Sequence, residues 1–204
     1  MDDLALLRDT DVYLVDLVLR GLAPAGPRIV DVGSGGGRNL PWFVARGCDV
    51  VAVEPRPEGR IAVDERLAAH GLDPGRVQHV EASVEDADLP PGSADLVVSC
   101  AVLHFARDHE HFTRMLDATW RLVAPGGLLF ARLASSVGIE DLVLPLGGGV
   151  HRLPDESDRY LVDERTLLDA TERMGGTLVG PIKSTVVQRL RTMTTWVVAR
   201  PPRD

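Results

Sequence analysis

Lysine is almost absent from this sequence: Lys183 is the only one in 204 residues, and arginine carries nearly all of the positive charge. With a net charge of -8 and no cluster of basic residues, the chain lacks the electrostatic footprint of a nucleic-acid binder. Cysteine is scarce too. Cys48 and Cys100 stand far apart without CxxC spacing, which excludes a disulfide framework and a cysteine-based zinc site, and no metal is expected. Aromatics make up 4%. No apolar run approaches the ~18 residues of a membrane span. The opening "MDDLALLRDTD" is acidic where a secretory leader is basic. A cytoplasmic, reducing setting is the expectation, with no membrane partner and a monomer or homodimer as the assembly.

What is present is an ordinary globular balance, 45% apolar and 25% charged, in a length that suits one domain spanning 1–204. Apolar periodicity predicts a helix over 12–19, stopped by Gly21 and a loop with Pro24 and Pro27, so that 1–24 forms a helical cover. Strands are expected at 28–32, 49–54, 76–82, 94–100 and 127–134, and helices at 38–46, 58–70, 108–123 and 163–174. Asp163 would cap the last helix and Gly175 close it. Strand and helix alternate up to residue 134, which describes an α/β, Rossmann-like, doubly wound sheet of seven strands with helices on both faces. Two closing strands in 177–200 with little room between them imply an antiparallel C-terminal hairpin. The segment 135–162 reads as a long loop, the usual form of a substrate lid.

The stretch "IVDVGSGGGRN" (29–39) ends a strand in Asp31 and then breaks into glycines. Ligands of such sheets bind beyond the carboxyl ends of the strands, where this loop lies. Gly33 and Gly35 fit the first two positions of a dinucleotide fingerprint, but the third falls on Arg38, and no G-K-[ST] follows for a P-loop. An acid at the strand end suits a ligand carrying an ammonium group. Glu54, ending the second strand, is placed to accept from ribose hydroxyls. An amine and a ribose with no phosphate between them describe S-adenosylmethionine.

"VDVGSGGGRN", "VVAVEP", "EASVEDADLPPGSADLVVSCAVLHF" and "LVAPGGLLFARL" occur in that order over residues 28–134. Together they resemble the successive motifs of class I S-adenosylmethionine-dependent methyltransferases. The resemblance implies that Asp31, Gly33, Ser34, Gly35 and Gly37 hold the methionine end. Glu54 would take the ribose, flanked by Pro55 and Arg56. Ser83 and Val84 would edge the adenine; the family often has aspartate where Ser83 stands, and Glu85 could supply the missing contact. Cys100 and Ala101 would lie under the sulfonium, with His104 and Phe105 closing that side.

Methyl transfer from a sulfonium is an in-line displacement helped mainly by alignment. His104 is the candidate general base for an acceptor that arrives protonated. Tyr13, His104, Arg152, Arg159 and Tyr160 are the candidate acceptor contacts, the arginines pointing to an anionic compound. The acceptor is expected to be a small molecule. Two other readings stand beside this one: an NAD(P)-dependent oxidoreductase, resting on Gly33, Gly35 and Glu54, and a non-catalytic S-adenosylmethionine-binding protein.

Overall fold

In the computed structural model, which describes residues 3–23 and 27–203, β-branched runs meet as adjacent parallel strands. β1 (Arg28–Val32) pairs with β2 (Asp49–Val53) on one side and with β4 (Ala94–Cys100) on the other. β3 (Val77–Val80) extends the sheet beyond β2, and β5 (Val123–Ser135) extends it beyond β4. β11 (Arg191–Ala199) runs antiparallel between β5 and β10 (Lys183–Val187). The order is therefore β10-β11-β5-β4-β1-β2-β3, with the two-residue β9 (Thr177–Leu178) on β11 as an eighth strand. Gly180 and Pro181 separate β9 from β10: the glycine takes φ +87° and proline has no N–H to give a ladder.

The strand period of two sorts side chains to two faces. Along β4, Leu96, Val98 and Cys100 join Phe130 in a core under α2 (Val12–Leu19), α3 (Pro41–Ala45) and α4 (Pro57–Ala69). Val97 faces the other way with Leu129, Ala131 and Trp196, under α5 (His109–Leu122) and α6 (Glu164–Arg173). Trp196 is fully buried, and its indole N–H donates to Thr171 Oγ1 of α6 at 3.0 Å. Asp163 caps α6 through Thr166 N–H, and Gly175 follows with φ +65°. A short α1 (Asp3–Leu7) precedes α2. Pro24 lies outside the described residues. Among the described residues no helix is long and apolar enough to cross a membrane.

Two expectations need correction. The helix expected over 38–46 is only Pro41–Ala45. Gly33, Gly35 and Gly37 all take positive φ, which breaks the helical path, and the helix starts where Pro41 fixes a compatible φ. The segment 135–162 is not a plain loop. It holds a three-stranded antiparallel sheet of β6 (Leu144–Gly147), β7 (Val150–Arg152) and β8 (Asp158–Tyr160). These strands are too short to show a period. A single bridge between Ser135 and Val162 ties the segment's ends together beside β5.

Candidate active site

The glycine loop is laced to the end of β2. The N–H groups of Gly33 and Ser34 both donate to the Val53 carbonyl, at 2.7 and 3.1 Å, and Gly35 N–H donates to Glu54 Oε2 at 3.0 Å. Gly33 is required twice over, by its φ of +64° and because a β-carbon would overlap the Val102 side chain. Arg66 of α4 braces the loop by donating to the Gly36 carbonyl at 2.7 Å.

Glu54 is buried, and its other oxygen accepts from Arg56, at 3.2 Å from the backbone N–H and 2.7 Å from Nε. Burial works against its charge, but the bonds from Arg56 and Gly35 outweigh it and hold the carboxyl below its usual range. The carboxylate fits because α4 carries Gly59 at the contact: a β-carbon there would overlap Glu54 Cγ. Glu54, Pro55, Arg56, Ser83, Val84 and Glu85 line a cavity of about 340 Å³ together with the apolar or small Val32, Gly33, Ala82, Ala101, Val102, Phe105 and Met115. Its floor is apolar and its rim acidic, suited to a flat heterocycle joined to a polyhydroxylated ring.

Asp31 is buried, and its Oδ2 has no hydrogen-bond partner among the described residues. Burial pushes the carboxyl up to about 7; nearby Arg38 opposes this and Glu54 adds to it. Beside it lies a charged cluster tied to the helical cover. Asp11 caps α2 with Oδ1, while its Oδ2 accepts from Arg132 of β5 at 2.7 Å and from Arg38 at 3.3 Å. Cys100 is turned into this cluster, where Arg38 donates to its Sγ at 3.1 Å. Burial and the Asp11 charge push that thiol up to about 12, so it stays protonated and unreactive.

A second cavity, of about 270 Å³, shares only Ala101 with the first among the described residues. His104, Arg132, Asp155, Arg159, Arg191 and Met193 are among its lining. Ala101 sits at φ +64°, strained for a residue with a β-carbon, and its N–H donates to the Arg132 carbonyl at 2.7 Å. His104 is buried, and its Nδ1 accepts from Ala134 N–H at 3.1 Å. A backbone N–H only donates, so Nδ1 is unprotonated and the neutral ring carries its hydrogen on Nε2. Burial first, and then the Arg159 charge, push the imidazole down to about 4. As placed, His104 is a hydrogen-bond donor through Nε2, not the general base its sequence position suggested.

Arg152, Tyr160 and Tyr13 stand apart from the two cavities. Arg152 is exposed and paired with Asp158, so it is not a cavity cation. Tyr160 is buried against Phe112, ring centroids 4.6 Å apart, and hydrogen-bonds His109 Nδ1 at 2.7 Å; it anchors β8 to α5 and lies outside both linings. Tyr13 packs on the Arg132 guanidinium at 5.6 Å and bonds Thr185 at 2.5 Å, outside both linings. Ser83 donates to Asp86 at 2.7 Å, closing a turn, while Glu85 accepts from His111 Nε2 at 2.8 Å. His111 Nδ1 accepts from Arg107 N–H, so His109 and His111 diverge, and no metal-binding group of His, Cys, Asp or Glu exists among the described residues. Ser34, Gly35 and Gly37 shape the loop from behind the cavity lining.

Asp11, Gly59, Arg132, Asp155 and Arg191 were missed from sequence. Asp11 carried a cap signal, but its second oxygen serves partners 27 and 121 positions away. Gly59 sits in a helix with no local cue.

Residues 30–131 match the methyltransferase domain family. The ubiquinone biosynthesis O-methyltransferase of Xanthomonas axonopodis pv. citri is 33% identical over 152 residues, which is 69% of this chain and 61% of that protein; the chain thus spans under two thirds of such a relative's length. The fold matches that of Burkholderia thailandensis 1,6-didemethyltoxoflavin-N1-methyltransferase, solved with 1,6-didemethyltoxoflavin and S-adenosylhomocysteine. That match has a TM-score of 0.69 at 16% identity and covers 98% of this chain and 80% of that one. A SAM-dependent methyltransferase of Methanosarcina mazei matches with TM-score 0.74 at 14% identity, covering 91% and 98%. On its domain match and its curated relatives, the chain belongs to the methyltransferase domain family.

Proposed function

We propose that the protein binds S-adenosylmethionine and transfers its methyl group to a small-molecule acceptor. The observation that carries this reading is the buried, unpartnered Oδ2 of Asp31 at the end of β1. A buried carboxylate oxygen without a donor is costly; Asp31 lies behind the cavity lining, next to Val32 and Gly33 that belong to it, and the ammonium group of a ligand seated there supplies a neutralising charge. The residues around it fit the rest of the compound. Glu54 has its carboxylate held charged and turned toward the 340 Å³ cavity, where it accepts from ribose hydroxyls as Arg56 yields. Val84 and Phe105 offer the apolar walls that an adenine needs.

When bound, the donor supplies an activated methyl group on a sulfonium. The protein's own contribution is placement. Ala101, lining both cavities, marks where acceptor and donor meet, and fixing two reactants there supplies most of what such a displacement needs, about 7–11 kcal/mol when alignment is good.

Calorimetric titration tests the reading. S-adenosylhomocysteine should bind at micromolar levels, and NADH should give no heat. Tight NADH binding with silence toward S-adenosylhomocysteine would instead make the protein a nicotinamide-dependent oxidoreductase. Binding without turnover over a broad screen of small nucleophiles would leave a non-catalytic binding protein.

A further inference from the structure

We propose that the acceptor is a small organic carboxylate and that its carboxylate oxygen is the atom methylated, giving a methyl ester. This rests on the methyltransferase reading above and adds the chemistry of the second cavity.

Three guanidinium groups line that cavity, from Arg132 on β5, Arg159 on β8 and Arg191 on β11. Their counter-charges are incomplete. Arg132 is paired with Asp11, and its Nε, with no partner among the described residues, is buried away from the cavity space, so it adds charge there and no free donor. Arg191 reaches Asp155 only at 3.7 Å. Arg159 donates to the Asp158 backbone carbonyl and stacks over the Phe105 ring at 4.9 Å, with no carboxylate within ion-pairing distance among the described residues. The cavity therefore has donors to spare and a surplus of positive charge, which favours an anion with two acceptor oxygens.

The same wall lacks a base. His104 spends Nδ1 on Ala134 N–H and presents a donor at Nε2. Asp155, the one carboxylate in the lining, accepts from Ser157 through both its N–H, at 3.1 Å, and its hydroxyl, at 2.5 Å, and faces Arg191. Burial disfavours its charge, yet those bonds and the charges of Arg191 and Arg159 hold its carboxyl below the usual range, so it takes up a proton poorly. An alcohol or ordinary phenol would enter protonated and find nothing to deprotonate it. A carboxylate enters ionised at neutral pH. One lone pair of its oxygen forms the O–CH3 bond as the C–S bond breaks, the departing sulfur keeps the C–S bonding pair and becomes a neutral thioether, and no proton moves. The guanidinium groups and the His104 N–H hold the other oxygen.

The test uses S-adenosylhomocysteine-loaded protein for binding and S-adenosylmethionine with a radiolabelled methyl group for turnover. Benzoate, phenylacetate, hexanoate and succinate are each compared with the matching amide, and phenol and catechol serve as neutral hydroxyl acceptors. The acids should raise the melting temperature of the loaded protein more than their amides do. Arg159→Gln and Arg191→Gln should each weaken acid binding about tenfold or more, the scale of a lost charge-assisted bond, and amide binding far less. The labelled product should release volatile methanol in mild alkali, and an indicator assay should detect no proton release on turnover. The proposal is overturned if no acid is preferred over its amide, if the arginine variants bind acids as the parent does, or if the label sits in an alkali-stable ether or amine. Failure of the unmodified protein to bind S-adenosylhomocysteine would defeat the methyltransferase reading instead.

Discussion

Gly59 has no side chain at the point where α4 crosses Glu54, and a single β-carbon there would overlap Glu54 Cγ. A helix residue thus sets the position of a strand-end carboxylate five places earlier. Gly59→Ala should push Glu54 off Gly35 N–H and lower S-adenosylhomocysteine affinity about tenfold or more, the scale of a lost hydrogen bond to a charged group. Alanine also favours the helix by up to about 1 kcal/mol, so denaturant unfolding should change little. Calorimetry showing parental affinity would remove Gly59 from the site.

Asp31 makes binding of the nucleoside pH-dependent. Its carboxyl is held at about 7 in the empty protein, and a cationic ligand needs it ionised. S-adenosylhomocysteine affinity should therefore fall about tenfold for each pH unit below 7 and level off above it. Asp31→Asn should bind more weakly and lose the slope. Calorimetry at pH 5, 6, 7 and 8 reads both.

Stability in the empty protein carries two opposing slopes. His104 has its folded value near 4, below the usual 6.5, so its contribution is full above pH 6.5 and is lost as pH falls toward 4. Asp31 has its folded value raised from 3.8 to about 7, so its contribution is full below 3.8 and is lost as pH rises through 7. Between pH 4 and 6.5 the two oppose, each at about 1.4 kcal/mol per pH unit. Relative to the parent, His104→Gln should lose stability as pH rises across that window, and Asp31→Asn should gain it. Denaturation midpoints at pH 4.5, 5.5 and 6.5 compare them.

Asp11 ties the helical cover to β5 and the glycine loop through Arg132 and Arg38. Asp11→Ala should cost about 3–5 kcal/mol, because it strands two guanidinium groups around a buried position and removes the α2 cap. Chemical denaturation measures the loss. A cost under 1 kcal/mol would mean the cluster is dispensable.

Of Arg152 and Arg159, only Arg159 lines the second cavity, where the acceptor is proposed to bind. Arg152→Ala should leave acceptor KM within about twofold of the parent, as expected for an exposed ion pair. Arg159→Ala should raise it about tenfold. Equal effects would show that Asp158 transmits the change.

The order of elements was legible because parallel strands buried on both faces write themselves as branched runs, as "RIVDV" and "ADLVVSC" do. Gly33 and Glu54, expected at the ligand edge of the sheet, both line the first cavity, because strand ends in such sheets have a fixed place. Tyr160 and Arg152 were misjudged for a different reason. The 135–162 segment folds into strands of three or four residues, too short for a period, so nothing told which of its side chains turn toward α5, solvent or the cavity. Arg132 and Arg191 looked like ordinary strand residues until β11 was seen to pair with β5. His104 was correctly placed at the sheet edge, but its proton is decided by Ala134, thirty residues downstream.

Ala101 is the one described residue common to both linings. On the proposed reading, donor and acceptor then occupy separate spaces that touch at one point, and neither has to cover the other. Initial-rate plots should intersect, and product inhibition by S-adenosylhomocysteine should show no compulsory sequence of arrival.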